Sequence, residues 1–161
     1  MLANRQPAPR STRKGKLFLN GSVADARTLR RVSAYVEQED ALIGSLTVRE
    51  TLDFAARLSL PSSLKGSMRK QRVEHIMKAF GLWDQADDLI GTPVRKGISG
   101  GQKRRLSVAS QLITDTKILF LDEPTSGLDS AAAFEVVQFL KRVAKEHRVR
   151  TAFDTRVPAT Y

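Results

Sequence analysis

The strongest chemical signal in this sequence is a pair of adjacent acids, Asp122 and Glu123, directly after the apolar run 118–121. Such a run predicts a strand buried in a parallel sheet, and α/β folds bind ligands at the carboxyl edge of such a sheet. A single carboxylate there suits Mg²⁺, which keeps several of its waters. The second carboxylate is placed to act as a general base toward water. The pair indicates metal-assisted hydrolysis, although an acidic turn after a strand explains the pair alone equally well.

A second motif has the residue types of an anion site. Two adjacent glycines at the start of a predicted helix let the backbone approach a phosphate closely, and the first-turn N–H groups and the helix dipole favour its charge. The cations at positions 103–105 raise the local positive potential. Taken alone, a glycine pair is often only a loop. The motif consists of Ser99, Gly100, Gly101 and Gln102.

Helix-start signals place these residues on regular elements. Thr47 and Glu50 have the spacing of a capping box, which predicts a helix whose apolar face includes Leu58. Ser99 and Gln102 repeat that spacing at the glycine motif. After the acidic pair, Asp129 or the serine that follows it is the expected cap of a further helix.

Composition narrows the class of protein. The chain has 161 residues, no cysteine and a net charge of +10. The absence of cysteine excludes disulfides and thiolate metal sites. No apolar run approaches the roughly 18 residues that would predict a membrane span. Residues 1–16 hold part of the positive charge, which favours a solvated basic segment, and no aromatic residues are interleaved to stack on bases.

The conjunction of motifs is far more specific than any one of them. SGGQ, a helix, an apolar strand with DEP, and then SGLD resemble the nucleotide-binding domain of ABC ATPases. Gln38 also fits, because it follows the short apolar run 32–36 as the Q-loop glutamine does in that family. The segments LFLNG, AYVEQED, LTVRETLDFAARL, ISGGQKRRLSVASQL and DEPTSGLDS resemble the G-type (white and pleiotropic-drug-resistance-like) transporters.

The resemblance covers residues 1–147 and implies an architecture. The expected fold is an α/β, P-loop NTPase-like ABC ATPase domain with an incomplete sheet and an inserted α-helical subdomain at about 47–115. Residues 148–161 diverge from the family and are interpreted as a tail.

The resemblance also implies roles for particular residues. Asp122 would be the Walker B residue that holds magnesium, and Glu123 the catalytic glutamate. Residues 99–102 would be the signature motif that grips the γ-phosphate of ATP bound to a facing domain. Gln38 would sense the magnesium or the water, and Asp129 would be the D-loop residue at the dimer interface. The implied cofactors are ATP and Mg²⁺.

The implied partners are a second ABC nucleotide-binding domain and the transmembrane domain of a transporter, with no nucleic acid. Such an assembly lies at the cytosolic side of a membrane, and the chain alone is expected to be soluble and cytoplasmic.

Two family motifs are not matched. The phosphate loop, G-x-x-x-x-G-K-[ST], does not occur in the 161 residues and is expected just before Met1. His147 comes too early for the switch histidine, and 155–158 replace the family's His-Gln-Pro without a histidine. Losing four charge-assisted hydrogen bonds to phosphate would cost about 6 kcal/mol, or about four decades of affinity. We therefore predict that this chain alone does not hydrolyse ATP.

Three alternatives remain open from the sequence. The chain could be a non-catalytic module that donates residues 99–102 to a partner domain. It could be a truncated product without function. A soluble ABC ATPase that acts on nucleic acid is favoured only by the net charge of +10.

Overall fold

The computed structural model describes residues 17–38, 41–114, 116–146 and 148–154. The basic segment 1–16, His147 and the motif at 155–158 lie outside these ranges. The expectations for them therefore stay predictions.

The chain begins its described part with a small antiparallel hairpin. Strand β1 (Leu17–Leu19) pairs with β2 (Ser22–Ala24). Asn20 and Gly21 join them with φ angles of 50° and 81°, and two consecutive positive φ values are typical of the tight hairpin turn that suits strand twist. The predicted strand and turn are confirmed, whereas the second strand was not predicted.

A parallel sheet of three strands carries the acidic pair. Its order is β3-β4-β5, so that β4 lies in the centre. Leu119 and Leu121 of β4 are buried, while Ile118 and Phe120 are only half-buried. The expected parallel strand is confirmed, but its burial on both faces is not, because one face of β4 is partly covered in the described structure. The strands are β3 (Ser33–Val36), β4 (Ile118–Asp122) and β5 (Arg150–Asp154).

Five helices surround or follow these strands in the described ranges. Helix α1, capped by Asp25, leads directly into β3 and was not predicted. None of the described helices is both long and apolar enough to cross a membrane. Their bounds are α1 (Ala26–Val32), α2 (Val48–Ser59), α3 (Gly66–Ala79), α4 (Gly100–Gln111) and α5 (Ser130–Glu146).

Helix α2 begins at the predicted capping box. The Glu50 backbone N–H donates to Thr47 Oγ1, and the Thr47 N–H donates to the Glu50 carboxylate at 2.8 Å. Its buried positions include Leu52 and Ala56. Leu58 is 72% exposed, so its assignment to the apolar face was wrong. At 3.6 residues per turn, two positions beyond Ala56 turn the side chain roughly 200° away from the core.

Helices α3 and α5 close the core around aromatic contacts. Phe80 at the end of α3 is fully buried, and its ring meets Phe139 of α5 edge-on with centroids 5.0 Å apart. Gly81 follows with a φ of 60°, which confirms it as the predicted end of this helix. The large buried side chains of this core include Leu52, Ile76, Met77, Leu106 and Leu140.

Candidate functional site

Parallel pairing of β3 and β4 brings the acidic pair next to Gln38. Val36 of β3 is in register with Leu121 of β4, so both strands end at the same edge of the sheet. Asp122 is the last residue of β4 and Glu123 follows it, while Gln38 comes shortly after the end of β3. The carboxyl edge of the sheet therefore collects all three side chains in one place.

Gln38 contacts the segment after β4 directly. Its amide nitrogen Nε2 donates to Glu123 Oε2 at 2.7 Å, across 85 positions of sequence. The same nitrogen lies 3.2 Å from Ser126 Oγ. The amide thus bridges the carboxylate and the turn that follows it. Ser126 was expected only as part of the SGLD motif, without a role of its own.

The backbone at Glu123 is strained. Its φ is +39°, a left-handed conformation that costs a residue with a Cβ roughly 1–2 kcal/mol. The buried Pro124 follows, and the Ser126 N–H closes the turn on the Glu123 carbonyl at 3.0 Å. This conformation turns the chain sharply at the strand end, and the Glu123 carboxylate meets Gln38 there.

Tyr35 holds the other acid. Its hydroxyl donates to Asp122 Oδ2, and the side chain of Tyr35 is half-buried. Tyr35 is in register with Phe120, so Asp122 is its diagonal neighbour on the same face of the sheet. Diagonal neighbours are within reach of long side chains. No local pattern of residues predicts this contact, because it follows from the register of the two strands.

The glycine motif forms the first turn of α4, as predicted. The Gln102 backbone N–H donates to Ser99 Oγ at 3.2 Å, and the Ser99 N–H donates to Gln102 Oε1 at 2.8 Å. This capping box leaves the N–H groups of Gly100 and Gly101 in the turn for which the helix supplies no acceptors. Ser99 and Gly100 are exposed. The arrangement suits an anion that approaches from outside the chain.

The start of α4 packs near the turn before α5. A Cβ added to Gly100 would lie 3.0 Å from Leu128 Cδ2, which leaves little space for a side chain. The neighbouring Asp129 accepts the Ala132 N–H through Oδ1 at 2.9 Å. Asp129 is therefore the cap of α5, which was one of the two predicted alternatives.

Arg104 joins α4 to the segment after β3. Its side chain is only 3% exposed, and its Nη1 donates to the Glu37 carbonyl at 2.8 Å. Its Nη2 donates to the Gln38 carbonyl. From the sequence, Arg104 was only one of three cations near the motif. Its burial depends on the packing of α4 against β3.

The acidic pair offers few protein ligands to a metal. Among the described residues, no group of three or more histidines or acids could surround a cation. A cation at Asp122 would take most of its ligands from water or from a bound phosphate. Such coordination is typical of Mg²⁺.

A family model described as ABC transporter matches residues 2–126. The chain belongs to the ABC transporter family. It is 50% identical over 132 residues to ABC transporter G family member 17 of Arabidopsis thaliana. The match covers 82% of this ABC transporter chain and 20% of that relative. It is 48% identical over 130 residues to ABC transporter G family member 24 of Dictyostelium discoideum, with coverage of 81% and 11%.

A solved structure agrees with these relatives. The structure of cbiO1 from Clostridium perfringens, part of the ABC transporter complex cbiONQ, superimposes with a TM-score of 0.72 at 25% identity, over 87% of this chain and 55% of cbiO1. The resemblance to a G-type ABC ATP-binding domain and the expected P-loop NTPase-like α/β fold are therefore confirmed. This ABC transporter chain spans about 20% of the length of the plant relatives.

Proposed function

We propose that this chain acts in the ATP-driven step of a G-family transporter, in which ATP binding and hydrolysis are coupled to transport across a membrane. The observation that carries the proposal is the contact of Gln38 with Glu123 at 2.7 Å. It joins two side chains that the sequence separates widely but that hydrolysis needs together, namely a general base and a polar group beside it.

The two acids at the carboxyl edge of the sheet would have different roles. Asp122 would hold Mg²⁺, and Tyr35 fixes its carboxylate through Oδ2. The metal would neutralise charge on the phosphates of ATP. Glu123 would accept a proton from the attacking water, and Gln38 holds the carboxylate in place from the other side.

Residues 99–102 would serve a nucleotide that a second ABC domain binds. The motif is exposed at Ser99 and Gly100, and its first-turn N–H groups have no acceptors within the helix. A γ-phosphate would meet these groups and the positive end of the helix dipole. Asp129, which begins the next helix, would lie at the same interface. The partners are thus a second ABC domain and the transmembrane domain of a transporter.

The experiment measures association of the purified chain with an intact ABC ATPase domain that contains a phosphate loop, with and without ATP and Mg²⁺. Ser99→Asp keeps a good helix cap but places a carboxylate against the phosphate. Ser63→Asp makes the same change at an exposed serine between α2 and α3. We expect ATP-dependent association for the wild-type chain and the Ser63 variant, and its loss in Ser99→Asp. Association that is equal with and without ATP, or that is unchanged in Ser99→Asp, would contradict the proposal.

A second candidate function is a binding module that lends residues 99–102 to the partner and does not use its own carboxylates. The complete and exposed capping box at the start of α4 favours it. The two candidates differ in whether Glu123 affects ATP turnover by the complex.

A further inference from the structure

Arg104 differs from the two cations beside it. Lys103 and Arg105 are half-buried: the Lys103 ammonium lies 3.4 Å from the Gly91 carbonyl, and Arg105 lies 3.5 Å from the exposed Glu135. Arg104 is 3% exposed. A buried cation is unfavourable unless hydrogen bonds replace its water. Arg104 must therefore act through specific hydrogen bonds, and not merely by raising the local positive potential.

The guanidinium of Arg104 binds consecutive backbone carbonyls. Nη1 donates to Glu37 and Nη2 donates to Gln38. A planar guanidinium makes such paired bonds in a fixed geometry, whereas the ammonium of lysine is a point donor on a flexible stem. The contact therefore fixes both the position and the orientation of the backbone that carries Gln38.

The contact completes a continuous connection between the two halves of the site. Arg104 lies on α4, whose first turn is the glycine motif. It binds the backbone of Gln38, and the side chain of Gln38 binds Glu123. Because a helix is rigid over two turns, a shift at the start of α4 displaces the guanidinium and, with it, the amide of Gln38.

We propose that Arg104 is a positioning residue that couples the glycine motif to the general base. It holds the backbone of Gln38 so that the amide reaches Glu123, and it transmits a phosphate-induced movement of α4 to that contact. This inference rests on the proposed function of residues 99–102 and Glu123. The side chain of Arg104 is linked to Glu123 through Gln38.

The chain contains a matched control for a purely structural role. Arg72 of α3 also binds consecutive backbone carbonyls, those of Leu112 at 3.3 Å and Ile113 at 3.1 Å. These carbonyls follow the other end of α4. Arg72→Met thus removes the same kind of contact at the other end of α4. It leaves the segment that carries Gln38 unchanged.

The first experiment records the side-chain amide signals of Gln38 by NMR, assigned by their loss in Gln38→Glu. Glu123→Ala gives the position of these signals when the contact is absent. We expect Arg104→Met to move them to that position, Arg104→Lys to move them part of the way, and Arg72→Met to leave them in place. Unchanged signals in folded Arg104→Met would overturn the inference. If that variant does not fold, wild-type signals in Arg104→Lys would overturn it instead.

The second experiment adds the intact ABC ATPase domain with ATP and Mg²⁺. In the wild-type chain and in Arg72→Met, binding at the glycine motif should shift the Gln38 signals. In Arg104→Met the complex should form without that shift, and an equal shift there would contradict the coupling. If the wild-type chain does not associate, the proposed function fails, whereas the first experiment still decides whether Arg104 positions Gln38.

Discussion

The two halves of the site are built in different ways. The glycine motif is local, because its cap, its acceptors and its glycines all lie within residues 99–102. The acidic half is assembled from segments far apart in the chain, since Gln38 and Glu123 meet across 85 positions. A local motif depends on one helix start, whereas the acidic half depends on strand register. Damage to the sheet should therefore affect the acidic half first.

The largest expected effect concerns Glu123, the proposed general base. Glu123→Gln keeps the size of the side chain but removes its proton acceptor. In a chain that carries a family phosphate loop before Met1, paired with an ABC domain whose own catalytic glutamate is replaced, ATP turnover should fall about 10²–10⁴-fold. Association should persist, because the glycine motif is unchanged. Glu74→Gln on α3 is the control and should leave turnover unaltered. Turnover that is unaltered in Glu123→Gln as well would support the binding-module candidate.

The sheet supplies the second test. Leu121 is 1% exposed at the centre of the sheet, so Leu121→Ala should lower the free energy of unfolding by about 2–5 kcal/mol. Leu58→Ala removes the same atoms from a side chain that is 72% exposed, and should change the stability by under about 0.5 kcal/mol. Denaturant unfolding measures both. The Gln38 amide signals should also shift in Leu121→Ala, while the backbone signals of Gly100 and Gly101 should not. If the Gly100 and Gly101 signals shifted and the Gln38 signals did not, the distinction between the two halves of the site would be wrong.

The helix cap at Ser99 supplies a smaller test, in which the glycine motif is changed and the sheet is not. Ser99→Ala removes the acceptor of the Gln102 N–H and should cost about 1 kcal/mol of stability. Ser63→Ala serves as the exposed control and should cost much less. Thermal unfolding measures the loss. The Gln38 amide signals should stay in place, because removing one capping hydrogen bond does not displace α4 as a whole, which is the movement that the proposed coupling through Arg104 requires. Signals that move in Ser99→Ala would show that the cap also sets the position of α4.

The smallest expected effect is a pH dependence that only one of the two capping boxes can have. The box at Thr47 contains the carboxylate of Glu50, whereas the box at Ser99 contains the neutral amide of Gln102. Hydrogen bonds from Thr47, led by its backbone N–H, lower the pKa of Glu50 below its ordinary value of 4.5. Stability from this contact is therefore present above the unfolded value and is lost as the pH falls through the lowered pKa. Melting temperatures from about pH 6 to about pH 3 should show this loss, and Glu50→Gln should reduce it. An unchanged pH dependence in Glu50→Gln would assign the loss to other carboxylates.

Several elements could be predicted because their signals are local. The capping boxes at Thr47 and Ser99 and the helix end at Gly81 each depend on a few neighbouring residues. Strand β4 was predicted from its apolar run. Helix α1 and strand β2 were missed, since neither has a clear hydrophobic period. The burial of β4 was overestimated, because periodicity does not show how much covers each face of a sheet.

The sequence by itself determined the family, the parallel strand that ends in Asp122, and the capped glycine motif, because each of these depends on residue types at short spacing. Only the tertiary structure decided that Tyr35 holds Asp122, that Gln38 meets Glu123, and that Arg104 is buried against the backbone of Gln38. These contacts follow from the register of β3 with β4 and from the packing of α4 beside them. Both are set by the burial of the whole core, which no short segment of sequence contains.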